Sequence, residues 1–168
     1  MKILLPLFLL LFISSKAFSQ DAESTIEYTK VHIISLSKKS YALGSPLALQ
    51  KAFGNVKAKR DADEVQGGYG YEYAYNGLIV DFHEHQWEAA SIKDGQYSVV
   101  LNGKTYKVGD HISKLKAMFS QSYQLRDLKY KRLRIAIAHK KQLTDAAIVI
   151  DYDNKGFITE IWLGNNNS

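Results

Sequence analysis

Two histidines, His83 and His85, stand two residues apart in the stretch DFHEHQWE, with Asp81, Glu84 and Glu88 around them. On an extended strand this spacing turns both imidazoles to one face, which is how some catalytic metals are held once a third ligand joins them. The chain offers few other starting points for chemistry. DYDNKG (151–156) opens like a calcium loop, but Lys155 and Trp162 occupy positions where oxygen ligands are required. DADE (61–64) is a run of loop carboxylates with no basic or histidine partner at a useful spacing. There is no Gly-x-Ser-x-Gly elbow, and GGYGYEY (67–73) lacks the lysine and following helix of a phosphate cradle. With no cysteine anywhere, thiolate nucleophiles and cysteine–zinc sites are excluded.

The elements that must carry the histidines decide the question, because the segment occurs twice. LSKKSYALGSPLALQKAF (36–53) aligns with LNGKTYKVGDHISKLKAM (101–118) at a shift of 65, matching Tyr41 with Tyr106 and Gly44 with Gly109. LIVDFHEHQWEAASI (78–92) aligns with IVIDYDNKGFITEIW (148–162) at a shift of 70, matching Asp81 with Asp151 and Trp87 with Phe157. An internal duplication accounts for both. The second copy of the histidine segment is DNKG, a tight-turn sequence. His83 and His85 are therefore expected in a hairpin turn, directed to solvent, without a metal. No cofactor is expected.

Each copy reads as a hairpin, a short helix and about three antiparallel strands. VHIISL and QYSVVL are β-branched runs, and Asn102–Gly103 is a strong hairpin signal that Ser37–Lys38 matches in position. Ser45 and Asp110 suit helix N-caps, and Pro46 suits the first helical position. Leu47, Gln50 and Phe53, or Ile112, Leu115 and Phe119, form the expected buried stripe, and Gly54 the C-cap. The fold expected is α+β, two similar units with their helices packed on one face of the sheet.

Composition bounds the setting. MKILLPLFLLLFISSKAFS has a basic start, an apolar run and small residues Ala17 and Ser19 before a cut, so residues 1–19 read as a signal peptide. Segments 20–30, 31–93 and 94–163 then form an N-terminal stretch and the two repeat units, with 164–168 a flexible tail. Losing Lys2 and Lys16 takes the formal net charge from +5 to +3, which is not a nucleic-acid footprint. No transmembrane segment is expected after cleavage, and the destination is the periplasm or the exterior.

Two surfaces suit a partner. Tyr69, Tyr71, Tyr73 and Tyr75 share one face of a strand, either as core under the helix or as an aromatic binding surface. In KYKRLRIAIAHKK (129–141), Leu133, Ile135 and Ile137 face one way, and Arg132 and Arg134 the other, where they can meet an acidic partner.

The paired Y-x-(L/V)-G-(S/D) openings, followed by strands such as Leu-Ile-Val-Asp-Phe and Ile-Val-Ile-Asp-Tyr, resemble the units of β-lactamase inhibitory proteins. They are also similar to small outer-membrane assembly lipoproteins of the SmpA/OmlA type. The resemblance spans most of 31–163 and implies a sheet with one face free to bind a protein. The chain lacks the disulfides of the first family and the lipid-anchoring cysteine of the second. The expected function is non-catalytic protein binding, as an inhibitor or as an immunity protein against an enzyme or a secreted toxin such as a type VI effector. An envelope-assembly accessory is the alternative, and a small enzyme or ligand carrier the third. N-terminal sequencing of the exported protein is expected to begin at Gln20; a retained Met1 contradicts the leader.

Overall fold

The computed structural model describes residues 22–165. The expected leader, its cut after Ser19, and the last three residues of the tail lie outside the described residues. The fold is mixed α and β and dominated by sheet, with 50% strand against 15% helix.

The chain opens with β1 (Thr25–Glu27) and a 3-10 turn over Tyr28–Lys30. The hairpin of β2 (Val31–Ser35) and β3 (Ser40–Tyr41) follows. Ser45 then caps α1 (Pro46–Phe53), accepting a bond from the Ala48 amide at 3.4 Å, and Gly54 closes it at φ 96°. After α1 come β4 (Lys59–Ala62), β5 (Tyr69–Tyr75), β6 (Leu78–His83) and β7 (Gln86–Ile92). The same order then recurs without a counterpart of β4. The hairpin β8 (Tyr97–Leu101) and β9 (Lys104–Lys107) turns at Asn102–Gly103, both at positive φ as a tight two-residue turn requires. A 3-10 turn (Ile112–Leu115) and α2 (Ser120–Leu125) lead to β10 (Arg132–His139), β11 (Gln142–Tyr152) and β12 (Ile158–Asn165).

The strands form two sheets. Eight run in the order β1-β10-β11-β12-β7-β6-β5-β4, and four in the order β3-β2-β8-β9. Both alternate, and their apolar faces merge into one core. Val31, Ile33, Val99 and Leu101 come from the small sheet; Val80, Phe82, Ile135, Ile148, Ile161 and Leu163 come from the large one. Each such side chain contributes about 1.5–3 kcal/mol on burial, and with no disulfide this is what holds the chain together.

Four expectations need correction. Helices supply only part of the cover over the large sheet: they are few, and the apolar face of the small sheet joins the same core. The helices are short, with α1 packed on β3 and α2 on β10. The stripe of α1 is turned by one step, so that Leu49 is fully buried while Leu47 is 76% exposed. Asp110 caps no helix. Its carboxylate accepts from the Lys107 amide and pairs with Lys114, while the amides of Gly109 and Ile112 bond to Ile158 and Gly156 of the β11–β12 turn and strand. The segment after Asp110 is a 3-10 turn instead, in which the amides of Lys114 and Lys116 bond to the carbonyls of His111 and Ser113, and α2 starts only at Ser120. The tail also begins later than expected, because Gly164 and Asn165 belong to β12.

Leu49→Ala is expected to cost about 2–5 kcal/mol in urea unfolding, and Leu47→Ala no more than about 0.5 kcal/mol. Equal costs contradict the observed facing of α1.

Candidate protein-binding face

Strand alternation leaves the large sheet a second face, turned away from the core. One cross-strand row on it runs Arg134, Val149, Trp162, Ser91, Ile79, Ala74, from β10 across to β5. The neighbouring row runs Ala136, Ala147, Gly164, Ala89, Asp81, Glu72. Val149, Trp162 and Ile79 take no part in the core cluster. The indole of Trp162 lies against Gly164, where an added Cβ would meet its Cζ2 at 2.8 Å, Ala89 Cβ at 2.9 Å and the Glu88 carbonyl at 2.9 Å. Small residues thus make a shallow floor beside a half-buried tryptophan. These apolar residues escaped the sequence reading. The signal was there: in ITEIWL, Trp162 falls between the inward pair Ile161 and Leu163.

The two ends of this face differ in charge. At the β10 end Arg132 makes a two-pronged pair with Asp151, at 2.7 and 3.0 Å, and Arg134 pairs with Glu23. Both arginines lie on the outer face, as their alternation implies, but each is already matched by a carboxylate. At the other end Asp81 stands opposite Glu72, and a register shift between Asp81 and Phe82 brings Glu88 beside it as the extra residue of a bulge. Burial first, then the charges of Glu72 and Glu88, push the Asp81 carboxyl up to about 6.

The tyrosines are on the opposite face. Tyr73 pairs with Val80, is buried, and meets Phe82 edge-on at 5.5 Å, so it is core. Tyr71 is half-buried against the same cluster. Tyr75 packs edge-on against Phe53 and donates its hydroxyl to the Gly54 carbonyl at 3.0 Å, fastening the end of α1. Only Tyr69 is largely open, and the Arg60 guanidinium covers its ring at 3.4 Å. The structure therefore does not gather the tyrosines and the two arginines into one surface. The register of β5 with β6 turns the ladder inward.

The histidine segment is the β6–β7 hairpin, turning at Glu84 and His85. His83 is not directed to solvent: its ring is largely covered, with Nδ1 3.3 Å from Asp63 but not aligned as a hydrogen bond. The DADE run is likewise more than solvated charge. Asp63 accepts from the amides of Gln66 and Val65, which hold its carboxyl below the usual range. Glu84 accepts from the Tyr69 amide at 2.9 Å and so ties the hairpin to the loop before β5. Among the described residues no three histidine or carboxylate side chains gather as a metal site.

Comparison of the chain with family models, curated proteins and solved structures gives no match. No helix among the described residues is long and apolar enough to cross a membrane.

A carboxyl raised in the folded state keeps its proton where the unfolded chain has lost it, so stability falls as pH climbs from about 4 to about 6. Asp81→Asn removes that loss. The variant is expected to be more stable than the parent by about 1 kcal/mol at pH 7.5, allowing for solvent around a half-buried group. The gain is expected to vanish at pH 4. Urea unfolding at the two pH values measures it, and no gain at pH 7.5 contradicts the assignment.

Proposed function

We propose that the protein is a non-catalytic binding module that docks another protein on the outer face of its eight-stranded sheet. Its role is that of an exported inhibitor or immunity protein. The observation that carries this is the row from Arg134 to Ala74, with Trp162 at its centre. Large rigid side chains at the middle of a face, ringed by polar groups, are where protein interfaces concentrate their energy. At the end away from Arg134, Lys59 stands opposite Glu72 but Asp81 has no cation paired with it among the described residues, so the face suits a partner that presents a cationic side chain toward Asp81.

The architecture behind this face is that of two related units. Ile33 lies opposite Tyr41 in its hairpin and Val99 opposite Tyr106 in the other, which makes Ile33 and Val99 counterparts, and these two pair with each other across β2 and β8. Asp81 lies opposite Ala89 and Asp151 opposite Glu160, which makes Ser91 and Trp162 counterparts, and these two pair with each other across β7 and β12. Both seams are thus exchanged with themselves by the duplication, as an approximate two-fold axis through both sheets requires. The duplication makes one wide face from two narrow ones, in keeping with the resemblance to β-lactamase inhibitory proteins.

The test starts with partner capture from envelope extract and continues with purified components. Trp162→Ala is expected to weaken binding by at least about tenfold, or about 1.4 kcal/mol, with urea stability measured beside it. Lys104→Ala, on the small sheet, is expected to bind as the parent does. Loss of the partner's enzymatic or toxic activity on binding marks an inhibitor or immunity protein. Unchanged affinity in Trp162→Ala overturns the face.

A further inference from the structure

The connection between α2 and β10 carries a surface feature that the sheet face does not use. Leu125, Leu128 and Tyr130 are 44%, 61% and 67% exposed, while the other large exposed side chains are more widely scattered along the chain. Arg126, Lys129 and Lys131 are interleaved with them, and none of the three is in an ion pair among the described residues. The one acid within the stretch, Asp127, accepts from the amides of Lys129 and Tyr130 at 2.8 and 2.9 Å.

The exposure is built in. Asp127 and Arg132 exchange backbone bonds at 2.8 and 3.0 Å, closing the base of the turn, and the Lys131 carbonyl accepts from Tyr152 at 2.9 Å. A turn pinned at its base holds Leu128 and Tyr130 out rather than letting them fold onto the core. The Lys129 ammonium sits 5.0 Å from the Tyr130 ring, and the Arg126 guanidinium 4.1 Å over Tyr123. Cations held beside aromatic and aliphatic side chains on a protruding tip match the boundary between lipid headgroups and acyl chains. Lysines are depleted in protein interfaces, whereas at a membrane their stems lie along apolar surface while the ammonium stays with the headgroups.

We infer that the turn 125–131 is a peripheral docking site for an anionic phospholipid surface, with Leu128 and Tyr130 entering the interface and Arg126, Lys129 and Lys131 meeting the headgroups. The inference is independent of the protein-binding face, which lies on the sheet.

Vesicle co-sedimentation tests it, using the chain from Gln20 onward, which contains every core residue. The protein is expected to sediment with vesicles of 30 mol % phosphatidylglycerol in phosphatidylcholine at low salt, and to be released at 0.5 M salt. Pure phosphatidylcholine is expected to retain little. Each lysine near an anionic surface contributes about fivefold in partitioning, so Lys129→Gln with Lys131→Gln is expected to lower it about 25-fold. The same charge change at Lys104 and Lys107 is expected to have a far smaller effect. Tyr130→Trp is expected to add a blue-shifted emission component when anionic vesicles are present. Four results overturn the inference: no preference for anionic vesicles, equal losses in the two double variants, no blue shift in Tyr130→Trp, or binding to polyglutamate rather than to vesicles. The last assigns the turn to an acidic protein.

Discussion

One seam joins the large sheet: β7 lies antiparallel to β12, from Ile92 opposite Ile161 to Ala89 opposite Gly164. It turns two three-stranded meanders, β5-β6-β7 and β10-β11-β12, into a continuous surface with one core beneath it. Glycine at 164 is a condition of that seam, since any β-carbon there would strike Trp162, Ala89 and the Glu88 backbone. The same close approach leaves room for the Trp162 indole against Gly164 on the outer face. Cohesion and the candidate site therefore rest on one contact. The small sheet repeats the arrangement, with β2 and β8 pairing at its centre, so that the apolar faces of both sheets meet in one core.

Electrostatics sort the outer face by what each charge finds nearby. Arg132 and Arg134 meet carboxylates of the same chain and are largely spent on holding β10, β11 and the N-terminal stretch together. Asp81 is half-buried beside Glu72 and Glu88, which raises the cost of keeping it ionised, while Lys59 stands opposite Glu72 and Gln66 donates to Glu88. Such an arrangement lowers the stability of the free protein at neutral pH and is relieved by a cation brought from outside. A binding protein can hold local stability in reserve in this way, because the partner supplies what the fold lacks.

Much of the fold was legible because most strands keep one face dry, and a period of two then survives in the sequence. LIVDF, LRIAIAH and AIVIDY announced β6, β10 and β11 by that rule, and Ser45–Pro46 and Asn102–Gly103 announced their cap and turn by backbone chemistry. The failures have non-local causes. Lys59–Ala62 is exposed at every position and has no apolar alternation, so only its pairing with β5 makes it a strand. The segment after Asp110 is docked on the β11–β12 turn by bonds to residues more than forty positions away and forms a 3-10 turn there, with α2 beginning only at Ser120. The tyrosine ladder could face either way until the register Tyr73 to Val80 fixed it inward. Trp162 shows the reverse case, since its outward direction was readable from the inward pair Ile161 and Leu163 on either side of it.

The central claim is that the outer face of the large sheet, and not the tyrosine ladder or the hairpin turns, meets the partner. Hydroxyl-radical footprinting of the free protein and of its complex compares these regions directly. The account predicts that Trp162, Val149 and Ile79 are oxidised in the free protein and protected in the complex, while Tyr69 and the 153–157 turn change little. Protection confined to Tyr69 or the turns, with Trp162 still oxidised, would contradict it.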